Sequence, residues 1–148
     1  MVDEPLMTMD QYKFSVPLRV RFVETDLQGH VFFGNYLVYF DEALTEYMQA
    51  VGYTYKDFQA AGLDFFYIHS ECDYKARAFF QDVLRIHARV GQIGNSSIPF
   101  EFAAINSTTG ELIATGKIVA VTVDPHTKKP ARVPDAFRGA VARFEQEG

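Results

Sequence analysis

With 148 residues, 48% hydrophobic and 15% aromatic, the chain is long enough for one well-packed domain and too apolar to be disordered. A net charge of −5 lacks the basic footprint that a general nucleic-acid or anionic-membrane binder needs. The single cysteine, Cys72, can form neither an intrachain disulfide nor a thiolate metal cluster, so a cytoplasmic protein is expected, with Cys72 as a small core residue.

In chain order, residues 1–13 (MVDEPLMTMDQYK) show no basic start and no apolar run of secretory length. They are expected to be a flexible tail before a single domain at 14–148. No stretch approaches the roughly 20 apolar residues of a spanning helix, so a soluble protein is expected. Leu18, Val20 and Phe22 alternate with Arg19, Arg21 and Val23, the period of a half-buried strand. Leu27, Gln28 and Gly29 read as a turn, with Gly29 free to take a positive φ.

From Asn35 to Val51 the spacing is helical. Tyr36 to Phe40 is almost wholly apolar, while Asp41, Glu42, Thr45, Glu46 and Gln49 share one narrow polar face. Burying each large side chain contributes about 1.5–3 kcal/mol, so something must wrap this helix. Gly52 is expected to stop it, and Tyr55–Ala61 reads as a short second helix ended by Gly62.

Strand patterns follow at Leu63–Lys75, Val83–Val90, Ser97–Asn106 and Glu111–Asp124, with a hairpin turn around Ser107–Gly110. Pro99 is expected to mark an edge or a bulge. Pro134–Glu147 reads as a final helix with Ala136, Phe137, Ala140, Val141 and Phe144 as its apolar side. One strand, one long helix and four strands predict an α+β fold with an antiparallel five-stranded sheet rolled around the first helix.

The chemistry concentrates in Thr25–Tyr36, TDLQGHVFFGNY, which places Asp26 at a strand end facing a helix beginning. A helix start presents backbone N–H groups without intrahelical partners and about half a positive charge. A carboxylate and such an amide cluster can bracket one carbonyl carbon, as a hydrolase requires. On these residues alone, Asp26 can equally cap its own turn by accepting from Gln28 or Gly29.

The string ETDLQGHV, an aromatic pair, Asn35, Tyr36 and then YFDEA resembles the hotdog-fold acyl-CoA thioesterases, specifically the 4-hydroxybenzoyl-CoA thioesterase branch. The resemblance covers Val16 to Arg138. Its most specific part is D-x-x-G-[HIV]-V-x-x-x-x-Y between a strand and a helix; IGNSS at Ile93–Ser97 and VDPHTKKPARVP at Val123–Pro134 echo the family further on.

The resemblance implies that Asp26 is the catalytic carboxylate, as general base or as nucleophile, and that the Phe33 N–H, with Gly34, faces the thioester carbonyl. Phe32, Phe33 and Tyr36 would line an aromatic or medium-chain acyl pocket within a binding segment that includes Gly29, His30 and Asn35. Ser96 and Ser97 would meet the pantetheine arm. Lys75, Arg77, Lys128, Lys129 and Arg132 would meet the nucleotide end of coenzyme A. No cofactor is implied beyond the coenzyme A of the substrate, and the expected assembly is a homodimer or homotetramer. In two respects the chain departs from relatives: Phe32 and Phe33 stand where many carry two Asn residues, and another branch carries His at the position of Phe33.

Glu42 and Glu46 are candidate second carboxylates or simply the solvated or subunit-facing side of the helix. Arg85, His87 and Arg89 form a cationic strand face, suited to phosphates or to solvent. His30 can orient the Asp26 carboxylate or a water, or bond a nearby carbonyl; His69 reads as a core or interface residue, and His126 as a loop residue. Metal-ligand spacing, G-x-x-x-x-G-K and G-x-S-x-G are all missing from the sequence. Three alternatives stay open: an acyl carrier protein thioester as substrate, a hydroxyacyl-thioester dehydratase using His30 and Glu42, and a non-catalytic acyl or aromatic ligand carrier.

Overall fold

In a computed structural model the protein is described over residues 11–147; residues 1–10 of the expected tail lie outside the described residues. The elements are β1 (Phe14–Arg19), α1 (Asn35–Val51), α2 (Tyr55–Ala60), β2 (Asp64–Tyr74), β3 (Val83–Val90), β4 (Ser97–Asn106), β5 (Leu112–Val123) and α3 (Asp135–Glu147). The strands form one antiparallel sheet in the order β1-β3-β4-β5-β2. It is the architecture expected from the alternation of patterns along the chain.

Helix α1 is the centre of the core, packed against β1, β3, β5 and β2. Tyr36, Tyr39, Phe40, Ala43, Leu44, Tyr47 and Met48 are buried at helical spacing. The Phe40 ring stacks on Phe102 at 4.9 Å between centroids. Gly116 on β5 makes this close approach possible, because a Cβ there would lie 2.3 Å from the Phe40 ring. Gly52 ends α1 in the left-handed conformation, with φ of 90°.

The expected first strand is displaced. β1 ends at Arg19, and Phe22–Glu24 forms a 3-10 turn with Phe22 and Val23 exposed. The cause is local: the Glu24 carboxylate accepts the Arg21 N–H at 2.8 Å, the acidic half of a capping box, while the Arg21 carbonyl accepts the Glu24 N–H, and together they turn the chain out of the sheet.

Pro99 is not on an edge strand, since β4 lies between β3 and β5. It falls just past the end of the β3–β4 ladder, opposite Gly91, whose N–H donates to the Pro99 carbonyl. The missing donor thus falls where β3 has already ended. His87 is not on a solvated face either: Tyr12 covers it, with ring centroids 5.6 Å apart, and the Arg89 guanidinium lies 4.9 Å from the Tyr12 ring centre. Burial, then the charge of Arg85, holds the His87 pKa below its ordinary value.

Strand β2 is an edge, paired to β5 on one side only. A register shift between Tyr67 and His69 changes which residues face α1. Phe65 packs on the core before the shift; Cys72 packs on it, and Tyr74 reaches Tyr36, after it. His69 is exposed and lies beside Glu71, so it is not a core residue.

Candidate active site at the start of helix α1

The segment between β1 and α1 is built around Glu24, which is 7% exposed. Its carboxylate accepts from the Arg21 backbone and guanidinium and, at 2.9 Å, from the Tyr39 hydroxyl of α1. Its carbonyl accepts the Phe32 N–H and the Asn35 side-chain amide, both at 2.9 Å. Burial pushes the Glu24 carboxyl up, but the Arg21 and Tyr39 hydrogen bonds outweigh it and hold the pKa below the ordinary value. One residue therefore ties the 3-10 turn, the loop and the helix start together.

Asp26 is not at the end of a strand. It stands in the loop after the 3-10 turn, within a small hairpin closed by the Thr25–Val31 bridge and pinned to Ala78 and Phe79. Gly29 takes φ of 84° at its tip, as the turn requires. The Asp26 Oδ1 accepts the Gln28 N–H at 2.9 Å, so the carboxylate holds its own turn. The His30 carbonyl accepts the Asp26 N–H at 3.0 Å, while its ring is engaged away from the carboxylate: Nδ1 donates to the Val31 carbonyl and Nε2 lies 3.1 Å from the Gln28 side-chain oxygen.

The loop and helix start face a cleft of about 400 Å³ lined by Gln28, His30, Val31, Phe33, Tyr36, Tyr74, Lys75, Ala76 and Arg77. Gly34 caps α1 without a side-chain hydrogen bond. The Phe33 and Gly34 N–H groups donate to no acceptor among the described residues. Tyr74, which the sequence reading passed over, donates its hydroxyl to the Phe33 carbonyl at 3.2 Å and packs its ring on Phe33 and Tyr36. Burial pushes the Tyr36 hydroxyl up to about 12. Phe32 and Phe33 pack together, 4.7 Å between centroids.

The other predicted residues divide. Lys75 and Arg77 join the cleft, while Asn35 is engaged by the Glu24 carbonyl. Ser96, Ser97, Lys129 and Arg132 gather at the other end of β5, where Thr122 N–H meets Ser96, Asp124 N–H meets Lys129, and Arg132 meets Asn95. Lys75 sits opposite Ile113 at the near end, so the groups are about 30 Å apart at 3.3 Å per residue. Glu42 lies outside the cleft, in a separate hollow with Arg19, Arg21 and Glu24, so the His30–Glu42 pair of a dehydratase is not assembled. No group of three or more potential metal ligands occurs among the described residues.

Residues 20–141 match the family model described as thioesterase-like superfamily. The chain belongs to the thioesterase-like superfamily. It is a thioester hydrolase with the hotdog fold. An acyl-CoA thioesterase, YbgC, of Haemophilus influenzae is 30% identical over 128 residues, covering 86% of this chain and 93% of the relative. A gentisyl-coenzyme A thioesterase structure superposes with a TM-score of 0.74 at 26% identity, covering 85% of this chain and 98% of that one. A 1,4-dihydroxy-2-naphthoyl-CoA thioesterase from Synechocystis shares the fold, with a TM-score of 0.81 at 19% identity over 87% of this chain and 95% of the other. Among the described residues, no helix of this hydrolase is long and apolar enough to cross a membrane.

Proposed function

We propose that this thioesterase cleaves an acyl-CoA to a carboxylic acid and free coenzyme A in the cleft at the start of α1. The observation that carries the reading is the pair of unpartnered amides at Phe33 and Gly34, of which Phe33 lines an aromatic-walled cleft that Gln28 and His30 of the Asp26 hairpin also line. The thioester carbonyl accepts from these N–H groups, where the helix dipole adds partial positive charge.

Asp26 then acts in one of two ways. As general base it takes a proton from water, and the hydroxide adds to the carbonyl carbon; the C–S bond breaks and the thiolate leaves, taking up a proton. As nucleophile it attacks that carbon itself, expels the thiolate and forms a mixed anhydride that water hydrolyses. Either role is open to the second carboxylate oxygen while Oδ1 keeps the Gln28 N–H.

A second copy of the chain completes the site. The edge of β2 is open, with Phe66, Tyr67 and Ile68 exposed on it. Antiparallel pairing of two β2 strands about a twofold axis brings the Asp64 end of one beside the Tyr74 end of the other. The loop carrying Lys128 follows the Asp64 end, its ammonium 5.9 Å from the Phe66 ring centre. The twofold thus carries the partner's Ser96, the partner's Ser97, the partner's Lys129 and the partner's Arg132 toward the cleft. Those residues then meet the pantetheine arm and the nucleotide phosphates, together with Lys75 and Arg77. The assembly is a dimer or a pair of dimers in the cytoplasm. The Phe33, Tyr36 and Tyr74 wall supports an aromatic or medium-chain acyl group; the thiol can be coenzyme A or an acyl carrier protein.

The test is free-thiol release across aromatic, short, medium and long acyl-CoAs by wild type and Asp26→Asn. Turnover that falls at least a hundredfold in the variant, with its melting temperature kept, supports the assignment. Equal rates in both proteins, or no thiol from any ester, overturn it.

A further inference from the structure

Three clefts follow one another along the same side of α1, between it and the edge strand β2. The first is the site cleft at Phe33, Tyr36 and Tyr74. The second, about 490 Å³, is lined by Leu37, Val38, Asp41, Tyr67, Ile68 and Ile118 among others. The third, about 560 Å³, is lined by Leu44, Met48, Phe65, Tyr55, Asp41 and Tyr67 among others. As the residue numbers rise along the helix they fall along the strand, so the three clefts lie in line as one furrow between antiparallel walls; the second and third share lining residues, and the first leads to the second from Tyr36 to its neighbour Leu37.

Between the second and third clefts the furrow is crossed by one bond. The Tyr67 hydroxyl donates to the Asp41 Oδ1 at 2.6 Å, and these two residues are the ones that line both clefts. Asp41 lies eight residues beyond Phe33, about 12 Å along the helix axis. On the Phe33 side of the bond the walls are Leu37, Val38, Ile68 and Ile118, and on the far side Leu44, Met48 and Phe65.

We propose that the furrow holds the hydrocarbon part of the acyl group and that the Tyr67–Asp41 bond is a bolt that sets its maximum length. The inference rests on the acyl-CoA reading above. The occupant is chosen by continuity: a thioester with its carbonyl at the Phe33 and Gly34 amides can direct its chain along α1, onto Leu37 and Val38. Alkyl groups gain from burial here, at about fourfold in kcat/KM per methylene. At the bolt the gain ends, because a chain passing further must strip water from a carboxylate or break its short hydrogen bond. The bulge next to Tyr67 supplies the geometry, since it turns Tyr67 toward α1 on a strand that later presents Cys72 and Tyr74 to the same side. A second copy paired along β2 would roof the furrow.

The test is a chain-length series of straight acyl-CoAs from butyryl to palmitoyl, comparing wild type, Tyr67→Ala and Asp41→Ala. In wild type, kcat/KM should climb with length and then break at a medium chain. In either variant the break should move to longer chains, with the palmitoyl-to-octanoyl ratio rising at least tenfold. Asp41→Ala lies on an exposed helix position, so it carries the test if Tyr67→Ala does not fold. An unchanged ratio in the folded variants overturns the bolt.

A binding arm keeps this separate from the hydrolase reading. Calorimetric affinities of the same esters for Asp26→Asn, alone and combined with Asp41→Ala, should show the same break and the same shift. If no ester is hydrolysed but the break moves, the hydrolase reading fails and the furrow stands. Affinity that is flat across the series overturns the furrow whatever the turnover.

Discussion

The two ends of strand β5 carry the two halves of the proposed site, and they are built differently. At the Leu112 end, the cleft is made by packing: Tyr74, Tyr36 and Phe33 interlock, and the buried Glu24 fixes the loop to Tyr39. At the Val123 end, the predicted residues ride on turns, with the exposed Lys129 and Arg132 following an Asp124 that accepts the His126 and Thr127 N–H groups. Backbone hydrogen bonds to that carboxylate hold its pKa below the ordinary value. The rigid end is suited to placing a carbonyl; the charged, open end is suited to gripping phosphates. One chain keeps them about 30 Å apart, and in the proposed dimer a second chain unites them.

Perturbing each end should separate the two roles. The largest stability effect is expected for Glu24→Ala, which leaves the buried Tyr39 hydroxyl without its acceptor. It should cost about 1–3 kcal/mol in urea unfolding and lower kcat as the hairpin loosens. The sign with pH follows from the lowered folded-state pKa. In wild type the Glu24 contribution is complete above the ordinary 4.5 and is lost as pH falls through the lower folded value. The variant should lack that acid limb.

At the open end, Lys129→Ala with Arg132→Ala should raise KM roughly tenfold and leave kcat within about twofold, with the difference shrinking as salt rises. A fall in kcat with KM unchanged would assign those residues to the chemical end instead.

Tyr74→Phe sharpens the account of the rigid end. The Phe33 carbonyl and the Gly34 N–H belong to one peptide unit, so a hydrogen bond on the carbonyl strengthens the donor. Losing it should lower kcat about two- to tenfold with KM nearly constant. A change in KM alone would make Tyr74 only a wall of the pocket.

The smallest effect should come from His87, away from both ends. Its folded-state pKa lies below the ordinary 6.5. Its neutral form stabilises the fold fully above 6.5, and that contribution is lost as pH falls through the folded value. His87→Phe should flatten unfolding free energy against pH in that window; an unchanged slope would assign the pH dependence to other groups.

How much of this was legible in the sequence follows from which forces are local. The α1 helix and the four later strands could be read because their apolar residues repeat at the period of the buried face. The end of β1 could not, because Arg21 and Glu24 divert the chain by a side-chain hydrogen bond that no hydropathy pattern records, although their three-residue spacing was a signal. Tyr74 was missed because the bulge in β2 breaks the period that would have assigned it to the helix-facing side. The motif located Asp26, Phe33 and Tyr36 together, and the structure adds that Asp26 holds its own turn. Ser96, Ser97, Lys129 and Arg132 could be grouped with the motif only by resemblance, because within one chain they stand at the far end of β5 from it.

The most direct measurement is therefore complementation between two impaired proteins. Asp26→Asn and the Lys129→Ala, Arg132→Ala double variant are each assayed at substrate well below KM, then unfolded together, refolded as a mixture and assayed again. If each site takes Asp26 from one chain and the basic residues from its partner, the mixed dimers contain one intact site, and thiol release should rise well above the average of the two parents. A mixture that shows mixed dimers by native mass spectrometry, yet never exceeds that average, would contradict the shared site.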